Sequence, residues 1–321
     1  MKNHYAVVLA AGKGTRMKSK QYKVLHTVCG RPMVQHVVDR LNGLMVNEIV
    51  VIVGHGAEQV KEQLGTSVQY AFQEEQLGTA HAVMLSRDFL EGKTGTTIVV
   101  SGDTPLIRTE TLQQLMEQHE HNQAAATVLT AALDDPAGYG RIVRSAEGLV
   151  ERIVEHKDAS MEEREISEIS TGIFCFDNQH LFQALRQVKN DNVQGEYYLP
   201  DVIEILKKQN HRIAAYRTGN PEDGMGVNDR VQLAAAQKLL RTRINEQHMR
   251  NGVTLIDPDS TYIDMDVVIG ADTVIHPGSF LRGNTSVGES CTIGPHADLR
   301  DCKVKRGAEI QYSRISGRRL P

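Results

Sequence analysis

The sequence runs to 321 residues, 40% of them hydrophobic, with a formal net charge of −4 at pH 7. That length suits about two domains, and the slight acidity excludes a general nucleic-acid binder, which carries a strong basic excess. No apolar run reaches the roughly 18 residues of a membrane span, and the N-terminal apolar run is too short for a secretory signal. Cys29, Cys175, Cys291 and Cys302 are scattered without a CxxC pair. Reduced structural thiols in a cytoplasmic protein are therefore expected, not a zinc site.

The first β-type run, residues 5–10, leads straight into Gly12-Lys13-Gly14-Thr15-Arg16-Met17, with Lys18, Lys20 and Lys23 close behind. This loop lacks the GxxxxGK[ST] of a Walker A motif, and Met17 stands where a dinucleotide fingerprint needs its third glycine. A Gly-x-Gly-Thr-Arg-Met loop still suits phosphate: its N–H groups act as donors, Arg16 as a fork and Lys23 as a point charge. The rival reading is a basic surface loop.

Residues 32–45 predict a helix opening on a proline, with Val34, Val37, Val38, Leu41, Leu44 and Met45 along one face. A strand follows at 48–53, and then Gly54-His55-Gly56, expected as a strand-end turn more than a ligand contact. Further strands are predicted at 97–101, 124–131 and 170–176, with a helix at 109–121. Such alternation predicts a mostly parallel sheet covered on both faces, with ligands at the C-terminal ends of its strands. Asp103 falls just after one strand, where it is either a metal ligand or a turn former ahead of Thr104-Pro105.

Residues 229–250 read as one long amphipathic helix, a connecting arm. Beyond it an aliphatic residue recurs every six positions: Ile263, Ile269, Ile275, Leu281, Val287, Ile293 and Leu299. Four residues after each of the first six stands Val267, Thr273, Ser279, Thr285, Cys291 or Ala297. This is similar to the hexapeptide repeat of left-handed parallel β-helices, with aliphatic residues stacked inward and smaller ones at the corners. The spacing then drops to five at Val304. At about 18 residues per coil this gives three to four coils.

The stretch Leu9-Ala10-Ala11-Gly12-Lys13-Gly14-Thr15-Arg16-Met17 resembles the signature of sugar-nucleotide pyrophosphorylases. Further matches come in order: Lys23-Val24-Leu25, Gln73 to Ala80, Gly102-Asp103-Thr104-Pro105, Gly138-Tyr139-Gly140-Arg141, Val154-Glu155-His156-Lys157 and Gly226-Val227-Asn228-Asp229. With the hexapeptide tail, the set resembles the bifunctional GlmU family. That family makes UDP-N-acetylglucosamine for the bacterial cell wall, with a uridyltransferase domain first and an acetyltransferase β-helix second. The resemblance implies an α/β fold: a Rossmann-like nucleotide-diphospho-sugar transferase domain (1–228), a helical arm (229–250) and a partial left-handed β-helix (251–321).

It also implies Mg²⁺-dependent transfer of UMP from UTP to N-acetylglucosamine-1-phosphate. In that reading Ala11 and Gly12, with Gln73, Gln76, Gly78 and Thr79, hold the uracil, a Gln amide offering it both a donor and an acceptor. Arg16 and Lys23 neutralise phosphates and, with Asp103, form the catalytic set. Asp103 and Asn228 hold Mg²⁺, a hard cation that prefers oxygen. Gly140, Glu155 and Thr171 contact the acetylamino sugar, and Leu9, Gly14, Thr15, Gly102 and Ser170 complete the substrate-binding set. Taken singly, several have plainer readings: Gln73 as an exposed loop residue, Glu155 as part of a solvated charged loop, and Asn228 as a helix cap.

Two departures from the family stand out. Where the family reads Asn-Thr-Gly, this chain has Ser170-Thr171-Gly172, which loses an amide's reach. The later β-helix coils that carry acetyl transfer are missing from these residues, so that activity is expected to be absent and a homotrimer to be weakened. No nucleic-acid or membrane partner is expected. The competing expectations are a related nucleotidyltransferase with another nucleotide or sugar phosphate, and a non-catalytic nucleotide-sugar binder that oligomerises through its tail.

Overall fold

The computed structural model describes residues 2–317 with 319 and 320; the expected domain ends at 1 and 321 lie outside the described residues. The described residues form two compact units, 2–25 with 33–229, and 26–32 with 230–320.

The first unit is built on strands β1 (His4–Ala10), β2 (Glu48–Val53), β3 (Gln69–Phe72), β4 (Thr96–Ser101), β5 (Ala126–Ala132), β6 (Gly140–Arg144), β7 (Val150–Val154), β8 (Glu168–Asp177) and β9 (Ile213–Arg217). They form a nine-stranded sheet of order β9-β5-β8-β4-β1-β2-β3, with β6 joined to β8 and β7 to β6. Strands β4, β1, β2 and β3 run parallel, and β9 is parallel to β5. Strand β8 is antiparallel to both its neighbours. Alternation along β1 divides the core: Val7 packs on one face with Val50, Val99 and Phe174, while Ala6 and Val8 pack on the other with Val51, Ile98 and Val100. Both faces are apolar, so the strands read as continuous hydrophobic runs.

Two expected elements start later than the residue pattern suggests. The helix expected over 32–45 spans Met33–Gly43: Pro32 is spent in a short antiparallel ribbon with Thr27 and Val28, and Met45, expected on its apolar face, lies past its end and is exposed. Strand β5 begins at Ala126, since the Ala125 N–H is given to the Arg212 carbonyl ahead of the ladder. The helix Thr109–His121 falls where its Leu112, Leu115 and Met116 periodicity puts it.

In the second unit, helix Arg230–Arg250 buries a narrow stripe of Ala236, Leu240 and Ile244. Short strands then stack into three parallel four-stranded sheets. Ile263 pairs with Leu281 and Leu281 with Leu299, eighteen residues apart at each step. The aliphatic positions from Ile263 to Leu299 and the corner positions Thr273, Ser279, Thr285, Cys291 and Ala297 are all buried. The ladder extends beyond the expected repeats, back to Leu255 and on to Ile315 and Leu320. Among the described residues no helix is long and apolar enough to cross a membrane.

Candidate active site

Strands β1, β2 and β4 end side by side, Ala10 against Val53 and Leu9 against Ser101. Their loops open into a cleft of about 300 Å³ lined by Leu9, Ala11, Gly12, Lys23, Gln73, Gln76, Gly78, Thr79, Asp103 and Glu196. A second depression of about 190 Å³ shares Leu9, Thr79 and Ser101 with it and adds Tyr139, Gly140, Glu155, Ser170 and Thr171. The residues expected at the base and at the sugar thus line two neighbouring hollows around one set of strand ends.

In the first hollow, Gln73 is buried, at 4% exposure, in contrast to the exposed loop residue of the plainer reading. Its N–H donates to the Val53 carbonyl at 2.7 Å. Its side-chain amide donates to the Gly78 carbonyl at 3.3 Å and to His81 Nδ1 at 3.1 Å. With its donors committed, Gln73 offers a ligand its carbonyl oxygen and not the donor–acceptor pair expected from sequence. His81, which fixes this orientation, carries no sequence signal beyond its spacing from Gln73. The Gln76 side-chain amide donates to the backbone carbonyl of Gln73 at 3.4 Å, and Thr79 Oγ1 accepts the Leu199 N–H at 2.9 Å. Gly54 packs behind two of these lining residues: a Cβ there would lie 2.8 Å from the Ala11 carbonyl oxygen and 3.2 Å from Gln76 Nε2. His55 and Gly56 form the strand-end turn read from the sequence, the Ala57 N–H donating to the Gly54 carbonyl at 3.0 Å, and the close approach at Gly54 suits glycine.

The glycine-rich loop closes into a single 3₁₀ turn, Thr15–Met17, held by the Met17 N–H on the Gly14 carbonyl at 3.0 Å and anchored by buried Met17. Gly14 has φ +62, and a Cβ on it would lie 2.5 Å from that of Lys23. The loop and the stem of Lys23 are therefore packed backbone to side chain. Thr15 and Arg16 are exposed on this turn and do not line the hollows, and Arg16 has no hydrogen-bond acceptor among the described residues. Gly102 is a packing residue here, its N–H donating to the Leu9 carbonyl at 2.9 Å.

Asp103 and Asn228 are brought together by Lys23. The Lys23 ammonium donates to Asp103 Oδ2 and, at 3.1 Å, to Asn228 Oδ1. The Val227 N–H also donates to the Asp103 carbonyl at 2.9 Å, tying the two segments together. Lys23, expected to face phosphates, here faces the side-chain oxygens of Asp103 and Asn228. A carboxylate and an amide oxygen converging on one positive charge are a donor set that fits Mg²⁺. No group of three or more His, Cys, Asp or Glu able to hold a metal occurs among the described residues.

The second hollow is shaped by a break in β8, whose register with β5 shifts between Ser170 and Phe174. Thr171 Oγ1 donates to the Leu129 carbonyl at 2.9 Å and accepts the Ile173 N–H at 3.3 Å, so its hydroxyl is occupied within the fold. Ser170 Oγ accepts the Gly172 N–H at 3.4 Å, leaving its own proton for a ligand. Glu155 is half-buried, and its carboxylate accepts no hydrogen bond among the described residues. Burial first, then the charges of Asp158, Asp201 and Glu196, hold its carboxyl above the usual range. Asp201 is pushed up to about 6 by burial and by Glu204, Asp191 and Asp158. Tyr139 lines the second hollow, and burial, then the charge of Asp103, raise its phenol.

Residues 5–223 match the nucleotidyl transferase family, and residues 266–298 match the bacterial transferase hexapeptide (six repeats) family. The chain is similar to the bifunctional protein GlmU of Halalkalibacterium halodurans, 58% identical over 98% of this chain and 69% of that protein. It is 60% identical to that of Brevibacillus brevis, over 98% of this chain and 68% of the relative. It is also 60% identical to that of Exiguobacterium sibiricum, over 99% and 71%.

Proposed function

The chain belongs to the GlmU family, and from that premise we propose that this nucleotidyltransferase moves UMP from UTP to N-acetylglucosamine-1-phosphate, yielding UDP-N-acetylglucosamine and pyrophosphate. The observation that carries the reading is the pair of adjoining hollows, one bearing the committed Gln73 amide and the other the unpaired Glu155 carboxylate. The Asp103–Lys23–Asn228 cluster supplies the charge chemistry. In this reading the Gln73 oxygen accepts the uracil imide N–H and Gly54 keeps the wall flat for the base. Glu155 accepts sugar hydroxyls.

No protein nucleophile is needed, because the attacking oxygen belongs to a phosphate that is already anionic. It bonds to the α-phosphorus of UTP as the bond to the bridging oxygen breaks, and pyrophosphate leaves with that electron pair. The work left to the protein is alignment and charge neutralisation. Arg16 and Lys23 contribute positive charge, and the loop N–H groups of residues 11–14 contribute donors. Asp103 and Asn228 would hold Mg²⁺, which supplies electrostatic relief for the crowded phosphates.

The test is pyrophosphate release over a panel of nucleotides and sugar phosphates, with and without Mg²⁺. UTP with N-acetylglucosamine-1-phosphate is expected to lead, and Asp103→Ala to lose at least ~100-fold in kcat. Full turnover in that variant refutes the metal assignment. Ser170 is the observation that favours a second reading, another sugar phosphate, and the sugar arm of the panel decides between them. Residues 1–321 by themselves are expected to form no acetylated product from acetyl-CoA and glucosamine-1-phosphate, and product formation overturns that. Trimerisation through the hexapeptide coils is expected, and light scattering measures it.

A further inference from the structure

We infer that Lys23 holds the place of the metal in the nucleotide-free protein, so that metal entry and the Lys23–phosphate contact are one coupled event. The inference rests on the metal assignment above and adds to it an order and a coupling. The Lys23 ammonium occupies the space between Asp103 Oδ2 and Asn228 Oδ1, the same two oxygens a divalent ion would take. The side chains of Lys23 and Asp103 are only 13% and 15% exposed, so water screens this pair weakly. A divalent cation and an ammonium cannot share those oxygens, because like charges at contact repel.

The stem of Lys23 is fixed at its base, since Gly14 leaves no more room than its missing Cβ provides. What remains free is the outer part of a flexible four-carbon chain ending in a point charge. Swinging that end away strands an ammonium unless an anion receives it. A triphosphate is such an anion, and it arrives with its own divalent ion. Metal alone therefore meets a site its competitor has closed, whereas metal with nucleotide replaces one ion pair by two. The coupling is reciprocal: each of metal and UTP raises the affinity for the other.

The experiment titrates Mn²⁺ into nucleotide-free protein by electron paramagnetic resonance. Wild type is compared with Lys23→Met and Asp103→Ala, each checked for fold by circular dichroism. If the pair is closed about nine-tenths of the time, Lys23→Met tightens Mn²⁺ binding about tenfold. A Lys23→Met protein that binds Mn²⁺ no more tightly than wild type overturns the inference. Asp103→Ala separates the two claims. Undiminished Mn²⁺ binding in that variant defeats the metal site itself; lost binding there, with no tightening in Lys23→Met, defeats only the coupling. A second measurement needs no variant: acetic anhydride labelling of the wild type, read by mass spectrometry at Lys23 against exposed Lys18 and Lys20. Mn²⁺ alone is expected to raise Lys23 labelling, and Mn²⁺ with UTP to lower it again. Labelling that Mn²⁺ leaves unchanged or lowers overturns the displacement.

Discussion

Ser170 sits where β8 breaks its ladder, at 7% exposure and facing the sugar-side hollow. Its one hydroxyl already accepts from Gly172, so it has a single proton to give where an asparagine has two donors and a longer reach. Ser170→Asn is expected to lower the KM for the sugar phosphate several-fold, the scale of one hydrogen bond at about 0.5–1.5 kcal/mol. Steady-state kinetics at saturating UTP measure it, and an unchanged KM removes Ser170 from sugar binding. Glu155 gives a second outcome at this scale. In the proposed role its ionised form accepts sugar hydroxyls, and its carboxyl is held above the ordinary 4.5, so protonation begins at a higher pH than usual. Affinity for UDP-N-acetylglucosamine should therefore fall on acidification before pH 4.5 is reached. Glu155→Gln should bind more weakly at neutral pH and lose that dependence, as read by calorimetry. If the variant keeps the wild-type acid loss, Asp201, itself near 6, is the titrating group.

Among the elements, the site is a consequence of three parallel strands ending level, and Gly54, just past the end of β2, leaves no room for a Cβ against Ala11. Gly54→Ala forces a Cβ against the Ala11 carbonyl and Gln76, away from Lys23, Asp103 and Asn228. KM for UTP is expected to rise about tenfold, or 1.4 kcal/mol, with kcat little changed; a KM equal to wild type would mean the wall yields. Strand β2 and the helix Thr109–His121 were readable because their apolar patterns are local and bounded by turns. The hexapeptide ladder was readable for the same reason. Its first rung was not, because the Pro258–Ser260 turn separates Leu255 from Ile263 by eight residues instead of six. The reversed direction of β8 was also hidden: a strand buried on both faces has the same composition whichever way it runs. Nor does any local spacing encode the meeting of Lys23 with Asp103 and Asn228, 80 and 205 residues away. Their motifs named the three residues, but only the fold reveals that the cation lies between the other two.

At the scale of the whole molecule, the described residues form two compact units, so unfolding need not be one transition and a stability argument must name its unit. His119 belongs to the first. It is 3% exposed on helix Thr109–His121, with Nδ1 2.9 Å from Thr127 Oγ1 on β5. Burial chiefly, opposed by Asp177 and Glu120 and aided by Lys2, depresses its pKa from 6.5 to about 4. The unfolded chain thus takes up a proton below pH 6.5 that the folded chain refuses until about pH 4. Stability present above 6.5 is lost as pH falls through that window, by about 2 kcal/mol at pH 5. His119→Gln keeps a polar partner for Thr127 and removes the titration. Its stability between neutral pH and pH 5 should therefore decline less than the wild type's by about that amount, whatever the substitution costs at neutrality. The sequence has no tryptophan. Urea unfolding is best followed by hydrogen exchange at β5 amides, which assigns the transition to the first unit. Parallel acid slopes in the two proteins would mean that His119 takes up its proton without unfolding the sheet it is packed against.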